Sequence, residues 1–221
     1  TSGVQTTVAI GAHTVSETPD SGYTATISGD CAADGTITLA AGDVKSCTIT
    51  NNDNVPVPPV GALLITEVAY DLGTGKGTEP GNEWVELYNG TNSDINLSGF
   101  VIRDSTGSDI LPDVVLPAGK FAFISGSSTT AGLWSLPAET VVIVLANSTI
   151  GGGLANGGDM VALENASAVA LDAVSWGSNT TAFSPSVPGA DEGHSIARSS
   201  NTIDTNMAAD WTDLETPTPG L

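Results

Sequence analysis

The chain has 221 residues, enough for one large domain or two modest ones, and its 5 basic residues against 25 acidic ones leave a net charge of -20. Such a surface repels nucleic acid phosphates and anionic membranes, which argues against nucleic-acid binding and direct membrane insertion. Hydrophobic residues make up 40% of the chain, enough for a core. The dominance of Gly, Thr, Ser, Ala and Val over Lys, Arg and Gln points to an all-β fold.

Residues 1–53 alternate apolar and polar side chains. Val4, Val8 and Ile10 lead to Gly11, Val15 and Glu17 follow, and TPDSG makes a turn. Strands are expected over 23–28, 36–39 and 46–51, with turns at Asp34-Gly35 and Ala41-Gly42-Asp43. Cys31 and Cys47 have no CxxC spacing and no third ligand, so they do not read as a metal site. A disulfide between them would close a loop of ~17 residues, stabilise by about 3 kcal/mol on the chain-entropy model, and imply an oxidising compartment. Two buried thiols in a reducing compartment are the competing arrangement.

The phrases HTVSE, GYTATISGDC and LAAGDVKSCTITNND resemble the second half of a prealbumin-like or collagen-adhesin-B-type stalk domain of secreted bacterial surface proteins. The first strands of that family have no counterpart here. A domain near this size buries only about 60% of its surface, so its open edge needs a cover. The disulfide and the second domain would supply one; a strand from a neighbouring chain would supply another and make the protein a polymer subunit. A shortened chain is the third alternative. Residues 54–62, with Pro56, Pro58 and Pro59, read as a stiff, extended linker.

Beyond the linker, the apolar runs 63–68 and 84–88 flank a loop of Gly, Thr, Lys, Glu and Pro and should pair as a hairpin. Short strands are expected at 101–103, 110–116 and 121–124. The continuous apolar run 140–146 reads as a strand buried on both faces. GGGLANGGD reads as flexible, and 160–163 with 169–176 as a second hairpin. Residues 178–191 form a long loop, 194–198 a short strand, and Trp211 docks onto the sandwich. NEWVELYN, then NxSDINLSGF, then LPAGKFAFISG resemble a bacterial lamin-tail domain over about residues 63–177. SIAR, DTN and PTPG extend the likeness to 220. That resemblance implies an immunoglobulin-like sandwich. The expected whole is two tandem Ig-like antiparallel β-sandwich domains, 1–53 small and incomplete, and 63–221.

Chemistry is sparse. His13 and His194 are the two histidines. A Ser-His-Asp arrangement would need Ser195 with Asp191 or Glu192, yet adjacent strand residues point to opposite faces. Glu83 and Glu86, three apart on a strand, also face opposite ways and do not make a glycosidase pair. One of them should hydrogen-bond backbone. Hard oxygen ligands on loops suit Ca2+, and Asp71, Glu79 and Asn82 frame one candidate loop, Asp104 and Asp109 another. Solvated loop acids are the plainer alternative. Asn89, Asn96, Asn147, Asn165 and Asn179 open N-x-S/T sequons on expected turns or loops and are candidate glycosylation acceptors. No signal peptide, membrane-spanning run or sorting signal is legible, so a secreted form would be a mature piece.

The expected function is non-enzymatic: an extracellular, cell-surface structural or adhesive protein without an obligatory cofactor. Its partners would be further copies of itself or other surface proteins, with copies joined into a filament by strand donation. The alternatives are a targeting module of a larger secreted hydrolase or nuclease, or a calcium-dependent adhesin with ligand loops near Glu79 and Gly151.

Overall fold

The computed structural model describes residues 5–19, 23–53 and 63–221. The proline-rich linker expected at 54–62 lies outside the described residues, as do Val4 and the tip of the TPDSG turn. The chain divides into two compact units, Thr1–Pro56 and Val57–Leu221.

The first unit consists of β1 (Gly11–Thr14), β2 (Tyr23–Gly29), β3 (Thr36–Leu39) and β4 (Cys47–Asp53). They form two separate antiparallel ribbons, β1 with β3 and β2 with β4. Turn chemistry sets the register. Asp34 accepts from the Thr36 N–H and hydroxyl, and Asp43 accepts from the Ala40 N–H, side-chain turns that Asp makes readily. Gly35 takes φ +81°, and a Cβ there would strike the Val15 carbonyl, so no side chain is tolerated. A disulfide joins Cys31 to Cys47, with Cα atoms 5.3 Å apart. Among the described hydrophobic residues of this unit only Cys31 is buried; Val15, Ile27, Ile37, Leu39 and Ile49 are half-exposed, and Val8, Ile10 and Val44 are exposed.

The second unit contains β5 (Leu63–Ala69), β6 (Trp84–Asn89), β7 (Ile95–Asn96), β8 (Val101–Arg103), β9 (Ser108–Ile110), β10 (Val115–Leu116), β11 (Phe121–Ser125), β12 (Val141–Val144), β13 (Met160–Glu164), β14 (Ala170–Ser175), β15 (Ser195–Arg198) and β16 (Trp211–Leu214). A six-stranded sheet in the order β12-β11-β6-β5-β15-β16 lies against a four-stranded sheet, β14-β13-β8-β9, with β10 and β7 as a separate pair. This is an immunoglobulin-like sandwich. Period-two alternation sorts the side chains. Val85 and Leu87 of β6, and Ala122 and Ile124 of β11, join the inter-sheet core with Ile102, Leu163, Val174 and Trp176. Trp84 and Phe123 point the other way and form a second cluster with Ala69 on the outer face, where Leu72, Trp134 and Leu136 pack over them. Trp211 is buried in the main core.

The 140–146 run departs from its expected placement. Its strand, β12, is an edge strand paired in parallel with β11 alone, and Val142 and Val144 are 45% and 41% exposed. Ile143 alone of β12 is buried, because an edge strand packs only one face. The expected strand at 110–116 is interrupted, its ends shared between β9 and β10. Leu111 there donates its N–H to Phe100 O instead of a sheet ladder.

Candidate functional site

A bulge decides the outer face of the six-stranded sheet. The β5–β6 register slips between Ile65 and Glu67, so Ile65 opposes Leu87 while Glu67 opposes Glu86. One extra residue re-aims the following side chain and sets two carboxyls against each other, each 2% exposed or less. Glu86 accepts from the Thr66 hydroxyl at 2.6 Å and from the Gly220 N–H. Glu67 accepts from the Ser195 hydroxyl at 2.6 Å and from the Thr218 N–H and hydroxyl. The Thr216–Gly220 stretch is therefore strapped across the sheet by buried acids. Beside it lies a groove of about 430 Å³ lined by Lys76, Trp134 and residues 215–219, with the Lys76 ammonium 3.9 Å from the Trp134 ring centroid.

The loops at the end of the sandwich are also tied by carboxylates. Asp109 accepts from Gly151 N, Asp104 from Gly152 N, Glu83 from Leu154 N, and Asp159 from Ala155 N and Met160 N. Asp104 further caps its own turn through Thr106 N and Gly107 N. Gly151 sits at φ +56° with its Cα against the Asp104 carboxyl, where a Cβ would collide. The GGGLANGGD segment, expected to be flexible, is thus held by carboxyls at four of its backbone N–H groups. Many carboxyls are not solvated either: Glu67, Glu83, Glu86, Asp104, Asp109, Asp159, Asp172 and Asp204 are all buried. They replace water for loop N–H groups, which cannot be left unpaired inside a protein.

The calcium candidates sit within this network. Glu79 divides its oxygens between Leu72 N (2.6 Å) and Asn156 Nδ2 (3.3 Å). Asn82 Oδ1 accepts from Thr130 Oγ1. Burial, then Glu79, raises the Asp71 carboxyl above its usual range. Among the described residues no three His, Cys, Asp or Glu side chains converge as a metal site would require. Melting curves in excess calcium and in chelator are expected to coincide; a midpoint raised by calcium would place a site here.

His194 Nδ1 lies 3.0 Å from both Asp213 oxygens across the β15–β16 pair, and that carboxylate raises its pKa. Ser195 turns to Glu67 on the other side, and Asp191 offers its backbone carbonyl to the His194 N–H. The three do not assemble into a relay. His13 lies in the first unit, where its ring contacts Ala9 O at 2.6 Å. Of the sequons, Asn96 and Asn147 are exposed, Asn165 and Asn179 half-buried. Asn89 is a correction: it closes β6, is fully buried, and gives its amide to Ser93 O and Leu116 O, so it cannot accept a glycan in the folded protein.

Missing from the sequence-based expectations is the knot around Arg198. Its guanidinium binds Asp172 at 2.7 and 2.9 Å, Asp204 at 3.2 Å and the Ile65 carbonyl at 2.7 Å, and stacks 4.7 Å from the Trp211 ring centre. The one available signal was an arginine inside an apolar strand of a chain with only two arginines.

The buried acids predict a pH dependence. Burial pushes Glu83 and Glu86 up to about 8, although each accepts hydrogen bonds that favour its ionised form; in an unfolded chain they ionise near the ordinary glutamate value. Between those limits the folded state keeps protons that the unfolded state has released, so stability falls as pH rises from 5 to 8. The Tm is expected to be higher at pH 5 than at pH 8 by ~5 °C or more, and Glu86→Gln, which has no proton to lose, should shrink that difference. Scanning calorimetry at the two pH values checks it.

A family profile described as the lamin tail domain matches residues 56–178. No curated protein matches the chain.

Proposed function

The chain belongs to the lamin tail domain family, an Ig-like and non-catalytic kind of fold, and from that premise we propose that it is a structural building block of the cell exterior, its copies joined through added β-strands. The observation that carries this is the first unit. Its two ribbons enclose almost nothing, with Cys31 the single buried hydrophobic residue among those described. A fold of that size needs more buried apolar surface than this to be stable alone, and open two-stranded ribbons bind further strands readily. The Cys31–Cys47 disulfide favours an oxidising setting, as outside the cell. Among the described residues no helix is long and apolar enough to cross a membrane.

The rigid second unit suits the same role. Its loops are bound to the sandwich by buried carboxylates, so the module transmits load and displays its loops in fixed positions. Light scattering and electron microscopy of the purified chain test the reading: concentration-dependent linear particles support it, and strictly monomeric protein at high concentration overturns it.

A further inference from the structure

Resting on that reading, we infer that residues 5–10, Gln5-Thr6-Thr7-Val8-Ala9-Ile10, are the donated strand, and that a second copy receives them along an open edge of its β2–β4 ribbon. Residues 5–10 are all exposed and belong to no sheet, with Val8 50% and Ile10 70% exposed. Thr6, Val8 and Ile10 fall at every second position, the spacing that puts three side chains on one face of an extended strand. Six residues are a full strand's length.

Charge selects the same segment. Two copies carrying -20 each repel, yet residues 1–16 contain no acidic or basic side chain except the neutral-to-weakly basic His13. The remainder of the first unit carries Glu17, Asp20, Asp30, Asp34, Asp43 and Asp53 against Lys45 alone. An uncharged strand can approach such a surface without like-charge cost.

The acceptor follows by comparison of the edges. β1 and β3 are four residues long, β1 continues directly from the donor, and on β3 the Lys45 ammonium already occupies the Thr38 carbonyl at 2.8 Å. Lys45 reaches that edge from the loop after β3, and a lysine placed over a strand edge blocks further pairing. β2 and β4 are seven residues each and, among the described residues, pair only with each other. Ile27 and Ile49 face each other in register on that ribbon and are half-buried, so a strand carrying Val8 and Ile10 alongside would complete their burial. β12 is the rival acceptor, being apolar and at an edge.

The test uses the full chain and the double substitution Val8→Asp with Ile10→Asp. Both residues are exposed and outside any sheet, so the monomer should keep its circular dichroism and its disulfide. The assembled fraction is expected to drop at least tenfold. A synthetic peptide of residues 3–12 should bind the substituted protein and slow amide exchange in 23–29 and 47–53. If wild type assembles and the doubly substituted chain assembles equally well, the donor assignment fails while the assembly reading stands. Peptide-induced protection at Val141–Val144 instead overturns the acceptor. Monomeric wild type that ignores the peptide overturns both.

Discussion

Replacing Arg198 with Met is expected to destabilise the second unit by about 3–5 kcal/mol, the usual cost of removing one partner from a buried ion pair. The reason lies in what the guanidinium holds. β15 pairs with β5 only at Ile196–Val68 and Ala197–Glu67, so Ile65, at the bulge, lacks a ladder partner on that side. Arg198 Nε donates to the Ile65 carbonyl and Asp172 accepts the Ile65 N–H at 2.7 Å. Two side chains thus stand in for strand pairing and pin the four-stranded sheet to the six-stranded one. Asp172 is pushed up to about 6 by burial, against the pull of Arg198. Without the arginine, Asp172, Asp204 and Asp210 remain together with no cation.

Arg198→Lys should recover little, because the single nitrogen of an ammonium cannot reach Asp172, the Ile65 carbonyl and Asp204 at once. Adding Asp172→Asn to Arg198→Met should restore part of the loss, since a neutral amide removes the unpaired charge. All four tryptophans, at 84, 134, 176 and 211, lie in the second unit, so fluorescence-monitored denaturation reports on it alone. A change under 1 kcal/mol for Arg198→Met would show that the knot is not what joins the sheets.

Reducing the Cys31–Cys47 bond, or replacing both residues with Ser, is expected to unfold the first unit of the monomer while the tryptophan transition stays in place. The bond spans a sequence separation of 16, worth about 3 kcal/mol on the chain-entropy model. A small domain's entire net stability is often of that order, and this one has almost no enclosed apolar surface to set against the loss. Limited proteolysis measures it: residues 5–53 should become cleavable on reduction while the second unit persists. Assembled protein should resist the same treatment, because an added strand supplies the burial that the monomer lacks. Retained protease resistance in reduced monomer would mean that the ribbons hold by themselves.

Strands were legible wherever alternation was strong. The β5–β6 and β13–β14 hairpins, β11 and the SIAR strand follow from apolar spacing and the turn and loop residues between neighbouring runs. The Cys31–Cys47 pair was legible for a similar reason, one bond from the turn just after β2 to the first residue of β4. β12 was not. Four consecutive apolar residues look alike at the centre and at the edge of a sheet, and its neighbours are decided by segments far away. The bulge at Thr66 was equally hidden, since a single extra residue leaves no mark in composition. Without it Glu67 reads as an exposed polar position; with it, Glu67 meets Glu86 and the Thr218 N–H, 151 residues onward.

The amino-acid sequence by itself determined an all-β chain, its acidity and two cysteines placed where a disulfide could form, because alternation, turn chemistry and cysteine spacing act over short stretches; the sandwich came from the resemblance of its motifs to the lamin-tail family. Only the tertiary structure decided where the acids go. Folding brought loop N–H groups and the Ile65 backbone beside carboxyls and Arg198 from distant segments, and burial made those contacts obligatory, since an unpaired polar group in a dry interior costs more than the hydrogen bond that satisfies it.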